Sequence, residues 1–323
     1  MSTNNTTTSN LVSSIVHATS LINFYAAFPF LFFGTIGNLL TVIVFSRKTL
    51  RGNPCVVYLL ATTIPCTLAL YFAYIVKISQ YLGFDLTTIS AFCKMRTYMI
   101  DPSQFTSSWF MVLACIDRYA SSSEHVRVRN FSRLSVAYRL ILVITLIGCC
   151  IYTYIFQCYD SHVPNSPIVC YIRTNTIFPC YIFDSVIFLT LFSTIPPVCM
   201  TVFGVLTFLN IRKMRYRQTG PLPSVVTGVN RPKTRMQQLD MKLVTMLFAQ
   251  VLMLILSTMP LSIYKVYSTF TVNFIKSDMR RAIENLLFQM ALTLSNLNNV
   301  TIFYLYLLSG SVFRKELMQL FSR

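Results

Sequence analysis

Seven runs that are free of charge, or broken by a single one, divide this chain: 21–45, 56–76, 97–116 around Asp101, 140–159, 174–211 around Asp184, 243–264 and 285–313. At about 1.5 Å per helical residue, roughly twenty apolar residues cover the hydrocarbon core of a bilayer, so each run is a candidate span. Lipid offers no partner to a backbone N–H or C=O, which leaves helices or a closed barrel. None of the runs alternates polar with apolar as barrel strands do. With 54% hydrophobic and 11% charged residues, the chain has too few charges to coat a soluble surface. The expected fold is an all-α membrane protein, a seven-transmembrane helix bundle.

Orientation follows from where Lys and Arg fall between the runs. With the N-terminus outside, segments 47–51, 118–139, 212–242 and 314–323 lie inside and hold most of the 27 basic residues. The outer side keeps Lys77, Lys94, Arg96, Arg173, Lys265, Lys276, Arg280 and Arg281. The net charge of +17 therefore reads as a topology signal with contact to anionic membrane lipid, and it calls for no nucleic-acid partner. No charge precedes Arg47, so the basic start of a cleaved signal peptide is missing and the first span is expected to stay as an anchor. Residues 1–20, rich in Ser, Thr and Asn, are expected to form a disordered outer tail with glycan acceptors at Asn4 and Asn5, each with Thr two positions on.

The third run ends abruptly in Asp117, Arg118 and Tyr119, an ion pair at the end of a membrane-length segment. Cys93 stands at its other end, and a helix between Cys93 and Arg118 rises roughly the thickness of a bilayer. This pairing resembles the third helix of rhodopsin-like (class A) G-protein-coupled receptors, with an outer disulfide cysteine and an inner Asp-Arg-Tyr at the same separation. Gly37-Asn38 is similar to the family's first-helix signature, Pro196-Pro197 to its helix-five proline, and Pro260 to its helix-six proline. Both proline sites should bend their helices. The resemblance further implies a Cys93–Cys170 disulfide, a switch built on Asp117, Arg118 and Tyr119, an acid at Asp240 that pairs with Arg118, a role for Tyr306, and a polar structural residue at Asn298. It also implies a short amphipathic eighth helix, for which Val312, Phe313, Leu317, Leu320 and Phe321 have the spacing. The resulting division is a tail at 1–20, the receptor bundle at 21–309, and the surface helix with a short inner tail at 310–323.

Several family positions are altered. Cys66 stands where the family has a sodium-binding aspartate beside Ser107 and Asn298, so the hard anionic ligand is gone. Thr258 replaces the helix-six tryptophan, and Ile302 and Phe303 replace the Asn and Pro of the last helix. Cys158 and Cys180 remain open between a second bridge and packing at helix ends. Segment 211–241 reads as a basic, flexible inner loop.

A carboxylate as deep as Asp101 costs about 2.5–3.5 kcal/mol on insertion scales and should face a wet cavity or a partner. The expected ligand-binding set is Asp101, Gln104, Lys265, Phe288 and Gln289, with Asp101 meeting a cationic group. Only His17, His125 and His162 occur, none within a run, so no enzyme, metal site or cofactor is expected. The resemblance implies a plasma-membrane receptor for an extracellular ligand, peptide or small molecule, that activates a heterotrimeric G protein. A neuropeptide is preferred over a chemosensory or other small ligand. A transporter is the rival from another class, and the internal repeats it would carry are not found.

Overall fold

The computed structural model describes residues 2–163, 166, 168–173, 179–218, 232–271, 274–309, 313–314 and 317–318; side chains at 2–8, 49, 214–218, 232–246 and 309 lie outside the description. The described residues form seven long helices. They are α1 (Ser2–Phe45), α2 (Pro54–Tyr81, jointed at Thr62), α3 (Ser90–Ser122), α4 (Leu134–Ile151), α5 (Cys180–Gln218), α6 (Pro232–Phe270) and α7 (Asp278–Ser309). Short helices Lys48–Arg51 and Val126–Arg129 lie in two of the connections. Strands β1 (Tyr159–Ser161) and β2 (Cys170–Ile172) pair antiparallel, with Asp160 opposite Tyr171.

Among the described residues, five helices are long and apolar enough to cross a membrane: α1, α2, α4, α5 and α6. The polar content of α3 and α7 follows from where they sit. Helix α3 is buried along its length, from Cys93 through Gln104 to Arg118, and therefore faces protein where a peripheral helix faces lipid. Helix α4 is its opposite, burying only Ala137 and Gly148 and turning Leu142, Val143, Leu146 and Ile147 outward. Lipid tails are as apolar as these side chains, so close packing rather than water exclusion joins the helices, and small residues mark the contacts. A Cβ on Gly34 would stand 2.6 Å from Leu70 Cδ1, and one on Gly148 would stand 2.9 Å from Phe105 Cδ1.

The Pro196-Pro197 site is accommodated by local rearrangement. Ahead of Pro196, residues Phe188–Thr194 form a π turn in which the Ile195 N–H bonds to the Thr190 carbonyl, so the ladder is already reset where the donors are missing. Near Pro260, the Ser257 and Thr258 hydroxyls donate back to the Leu254 carbonyl at 3.1 and 2.8 Å.

Two expectations change. The segment expected to be a disordered tail is helical from Ser2, continuous with the first span. No Gly or Pro interrupts it, and Ser14 and Thr19 return their hydroxyls to the carbonyls of Asn10 and Ile15, so the polar side chains do not unwind it. Helices α5 and α6 also extend well into the basic segment, to Gln218 and from Pro232. Of the expected eighth helix, only 313–314 and 317–318 are described, and they are helical; the remainder of 310–323 lies outside the described residues.

Candidate functional site

The Cys93 end of the bundle encloses a cavity. Cys93 is bonded to Cys170, which holds strand β2 across the mouth, and Cys158 is bonded to Cys180, which fastens the start of β1 to the top of α5. The question of Cys158 and Cys180 is thus resolved as a second bridge. Stitched at both edges, the hairpin covers a cavity between α2, α3, α5, α6 and α7.

Of the residues expected to bind ligand, Asp101, Gln104, Lys265 and Phe288 line this space. Gln289 does not. On α7 the cavity face runs through Phe288, Leu292 and Asn296, while Gln289 and Asn285 line an adjoining space between α1, α7 and the hairpin. One residue along a helix is about 100° of rotation, which separates the two faces. Lys265 is also not free, because its Nζ lies 2.6 Å from Asp184 Oδ2 and 4.5 Å from the Phe188 ring centre. Asp184 is buried and accepts further hydrogen bonds from the hydroxyls of Tyr154 at 2.7 Å and Tyr159 at 3.1 Å. A buried carboxylate is tolerable only when so satisfied. As a lone acid within an apolar run, Asp184 carried the same signal that singled out Asp101.

Two cations complete the polar lining. Lys77 is 6% exposed, and its ammonium donates to Asn23 Oδ1 and Thr293 Oγ1, each at 3.0 Å, tying α2 to α1 and α7. Arg96 donates from Nε to the Phe72 carbonyl at 3.0 Å. Both stand at the ends of apolar stretches, where a basic residue reads as a snorkelling topology signal, and both are turned inward. At the rim Asp160 accepts from Ser90 and Arg173, and these donors hold its carboxyl down at about 2.

The other end of α3 carries the charged triplet. Asp117 and Arg118 form a 2.6 Å ion pair with side chains 2% and 4% exposed. Arg118 also donates from Nη2 to Asn53 Oδ1 at 2.7 Å, and the same oxygen accepts the Cys55 N–H at 3.1 Å, capping α2. Asn53-Pro54 ahead of an apolar run is a helix-start signature, so its capping was legible in the sequence while its bond to Arg118 was not. Tyr119 packs against Phe203, and Tyr306 is buried against Phe45 and Phe313 with no hydrogen-bond partner for its hydroxyl among the described residues. The expected bond between Asp240 and Arg118 involves a side chain outside the described residues. The same holds for Asn4 and Asn5.

The remaining sequence-predicted positions lie within the helices. Asn38 bonds Thr67 at 3.1 Å, joining α1 to α2. Pro197 and Pro260 lie within α5 and α6. Asn298 is buried with its Oδ1 unpartnered among the described residues, and Cys66 is a buried thiol. Among the described residues no group of three His, Cys, Asp or Glu side chains could hold a metal ion.

A bundle of seven membrane helices, disulfide-tied at one end of a central polar helix and closed by an ion pair at the other, defines a multi-pass membrane protein built around an enclosed cavity. Residues 37–301, more than half of the chain, match the family model described as 7 transmembrane receptor (rhodopsin family). The chain belongs to that family, and it is a receptor rather than an enzyme. Compared individually with curated proteins, it matches none of them.

Proposed function

We propose that this receptor sits in the plasma membrane with its N-terminus outside, takes an extracellular ligand into the hairpin-covered cavity, and activates a heterotrimeric G protein at the Arg118 end. What carries this reading is the family match together with the placement of two polar centres at opposite ends of one buried helix, α3. A ligand contacting Asp101 and Gln104 acts on the same rigid element that ends in Asp117 and Arg118.

In the resting state Arg118 is held by Asp117 and Asn53, and by Asp240 where α6 packs close. A guanidinium does not lose its proton, so it must be paired or solvated in every state. Outward movement of the Arg118 end of α6 opens a cleft for a G-protein helix and lets Arg118 turn to that helix or to Tyr306. Pro260 supplies the bend about which α6 moves. Two states a few kcal/mol apart are rebalanced by one such bond.

A peptide is the favoured ligand, because the cavity adjoins a second space walled by α1, α7 and the hairpin, so an extended ligand can occupy both. A screen of peptide and small-molecule libraries with a cytosolic second-messenger readout tests the function. Activation by a peptide supports the reading, and activation by small molecules alone would replace the peptide with a chemosensory ligand. Failure of any cytosolic G protein to respond, with the protein present at the cell surface, would reject the coupling.

A further inference from the structure

Within the cavity the charges do not cancel. Lys265 and Asp184 neutralise each other at 2.6 Å, which leaves Lys77, Arg96 and Asp101. Among the described residues neither Lys77 nor Arg96 reaches a carboxylate within ion-pair distance. Their hydrogen bonds go to an amide oxygen, a hydroxyl and a backbone carbonyl, all neutral. The acids within electrostatic range of Arg96 are Asp101 and Asp85, and Asp85 is already occupied by the Thr87 N–H and hydroxyl.

Lys77 and Arg96 line the same cavity. An ammonium has three donors and a guanidinium five, so each retains N–H groups beyond those already bonded. Two like charges converging on a cavity, one of them more than nine-tenths buried, with donors left over, are arranged as an anion site. Lys77 moreover lines the adjoining space as well as the cavity, placing its charge on the wall that the two share.

We propose that the ligand carries a carboxylate, and that Arg96 within the cavity and Lys77 at the wall common to the two spaces bind it, while Asp101 faces the ligand's cationic or donor groups. This rests on the reading of the cavity as the ligand site. The acid belongs either to a peptide with a free C-terminus or to a small carboxylic acid. Both sources offer the same two oxygens to the same two cations.

The test uses the full chain in lipid nanodiscs, with thermal unfolding followed by the fluorescence of Trp109, the single tryptophan. Glutarate, glutaramide and 1,5-diaminopentane are titrated at constant ionic strength, alongside a mixture of short peptides offered with free or amidated C-termini. Glutarate should raise the unfolding temperature saturably, and glutaramide and the diamine should not. Lys77→Gln and Arg96→Gln should each weaken the glutarate response about tenfold or more, whereas Lys77→Arg should retain it. A preference for free over amidated peptides beyond the glutarate effect assigns the acid to a peptide, and its absence assigns it to a small acid.

The proposal is overturned if glutarate produces no saturable shift, if glutaramide matches it, or if the Lys77→Gln/Arg96→Gln double variant keeps it. G-protein activation is measured on the same preparations. Coupling without a glutarate response removes only the acid site, and a glutarate response without coupling removes only the signalling role.

Discussion

Replacing Asn53 by Ala separates the two jobs of one oxygen. Asn53 Oδ1 caps α2 through the Cys55 N–H and accepts from Arg118 at 2.7 Å. Loss of the cap costs about 1 kcal/mol in every folded state. Loss of a hydrogen bond from a charged donor costs about 1.5–3 kcal/mol, and only in the state in which Arg118 points at Asn53. Because the side chains of Arg118 and Asp117 are 4% and 2% exposed, solvent screening reduces this little. At about 1.4 kcal/mol per factor of ten, the resting-to-active ratio should fall roughly tenfold to a hundredfold. The assay is ligand-independent second-messenger production at matched surface expression, with unfolding temperature measured in parallel. Asn53→Ala should lower stability and raise basal signalling, whereas Asn53→Asp keeps the acceptor, adds a charge opposite Arg118 and should suppress basal signalling. An Asn53→Ala protein that is less stable yet signals at the wild-type basal level would show that this bond does not bias the switch.

Three further outcomes are expected. Asp184→Asn leaves the Lys265 ammonium without its counter-charge in a buried site and should lower stability by about 3–5 kcal/mol; Asp184→Leu combined with Lys265→Met should recover most of it, and failure of that rescue in thermal unfolding would argue against the pair as the cause. Removing the Cys158–Cys180 bridge, which closes 22 residues, should cost about 3 kcal/mol and loosen the hairpin lid, so Cys158→Ser should reach the cell surface in reduced amount; unchanged surface staining and ligand binding would count against it. Glycans should attach at Asn4 or Asn5 with the tail open to antibody on intact cells, and a tail reached only after permeabilisation would reverse the topology.

Much of the architecture could be read from apolar runs because lipid imposes one rule, internal backbone pairing, on every crossing segment. Side chains facing the interior obey weaker rules. A carboxylate in a membrane run must find a wet cavity or a partner, and that reasoning placed Asp101 in the cavity. Applied to Asp184 it would have named a second wall, but its partners Lys265, Tyr154 and Tyr159 come from three other segments and no spacing links them. Gln289, expected in the ligand-binding set, lies one step of helical phase from the cavity face, and an apolar helix shows little contrast between its faces. Lys77 and Arg96 were only counted among the outer basic residues, because inward and outward turns of a basic residue at a run's end look identical in sequence. The N-terminal helix was hidden by composition, its Ser, Thr and Asn side chains competing for the backbone and favouring turns and caps.

In the proposed mechanism Arg118 at the end of α3 transmits activation to a G protein. Nucleotide exchange on a purified heterotrimeric G protein should be compared in membranes carrying the wild type, Asp240→Ala, and Asp240→Ala with Arg118→Ala, at equal receptor content. The account predicts more exchange with Asp240→Ala than with the wild type, and a return to the receptor-free baseline once Arg118 is also removed. Exchange by the double variant as fast as by Asp240→Ala alone would contradict it.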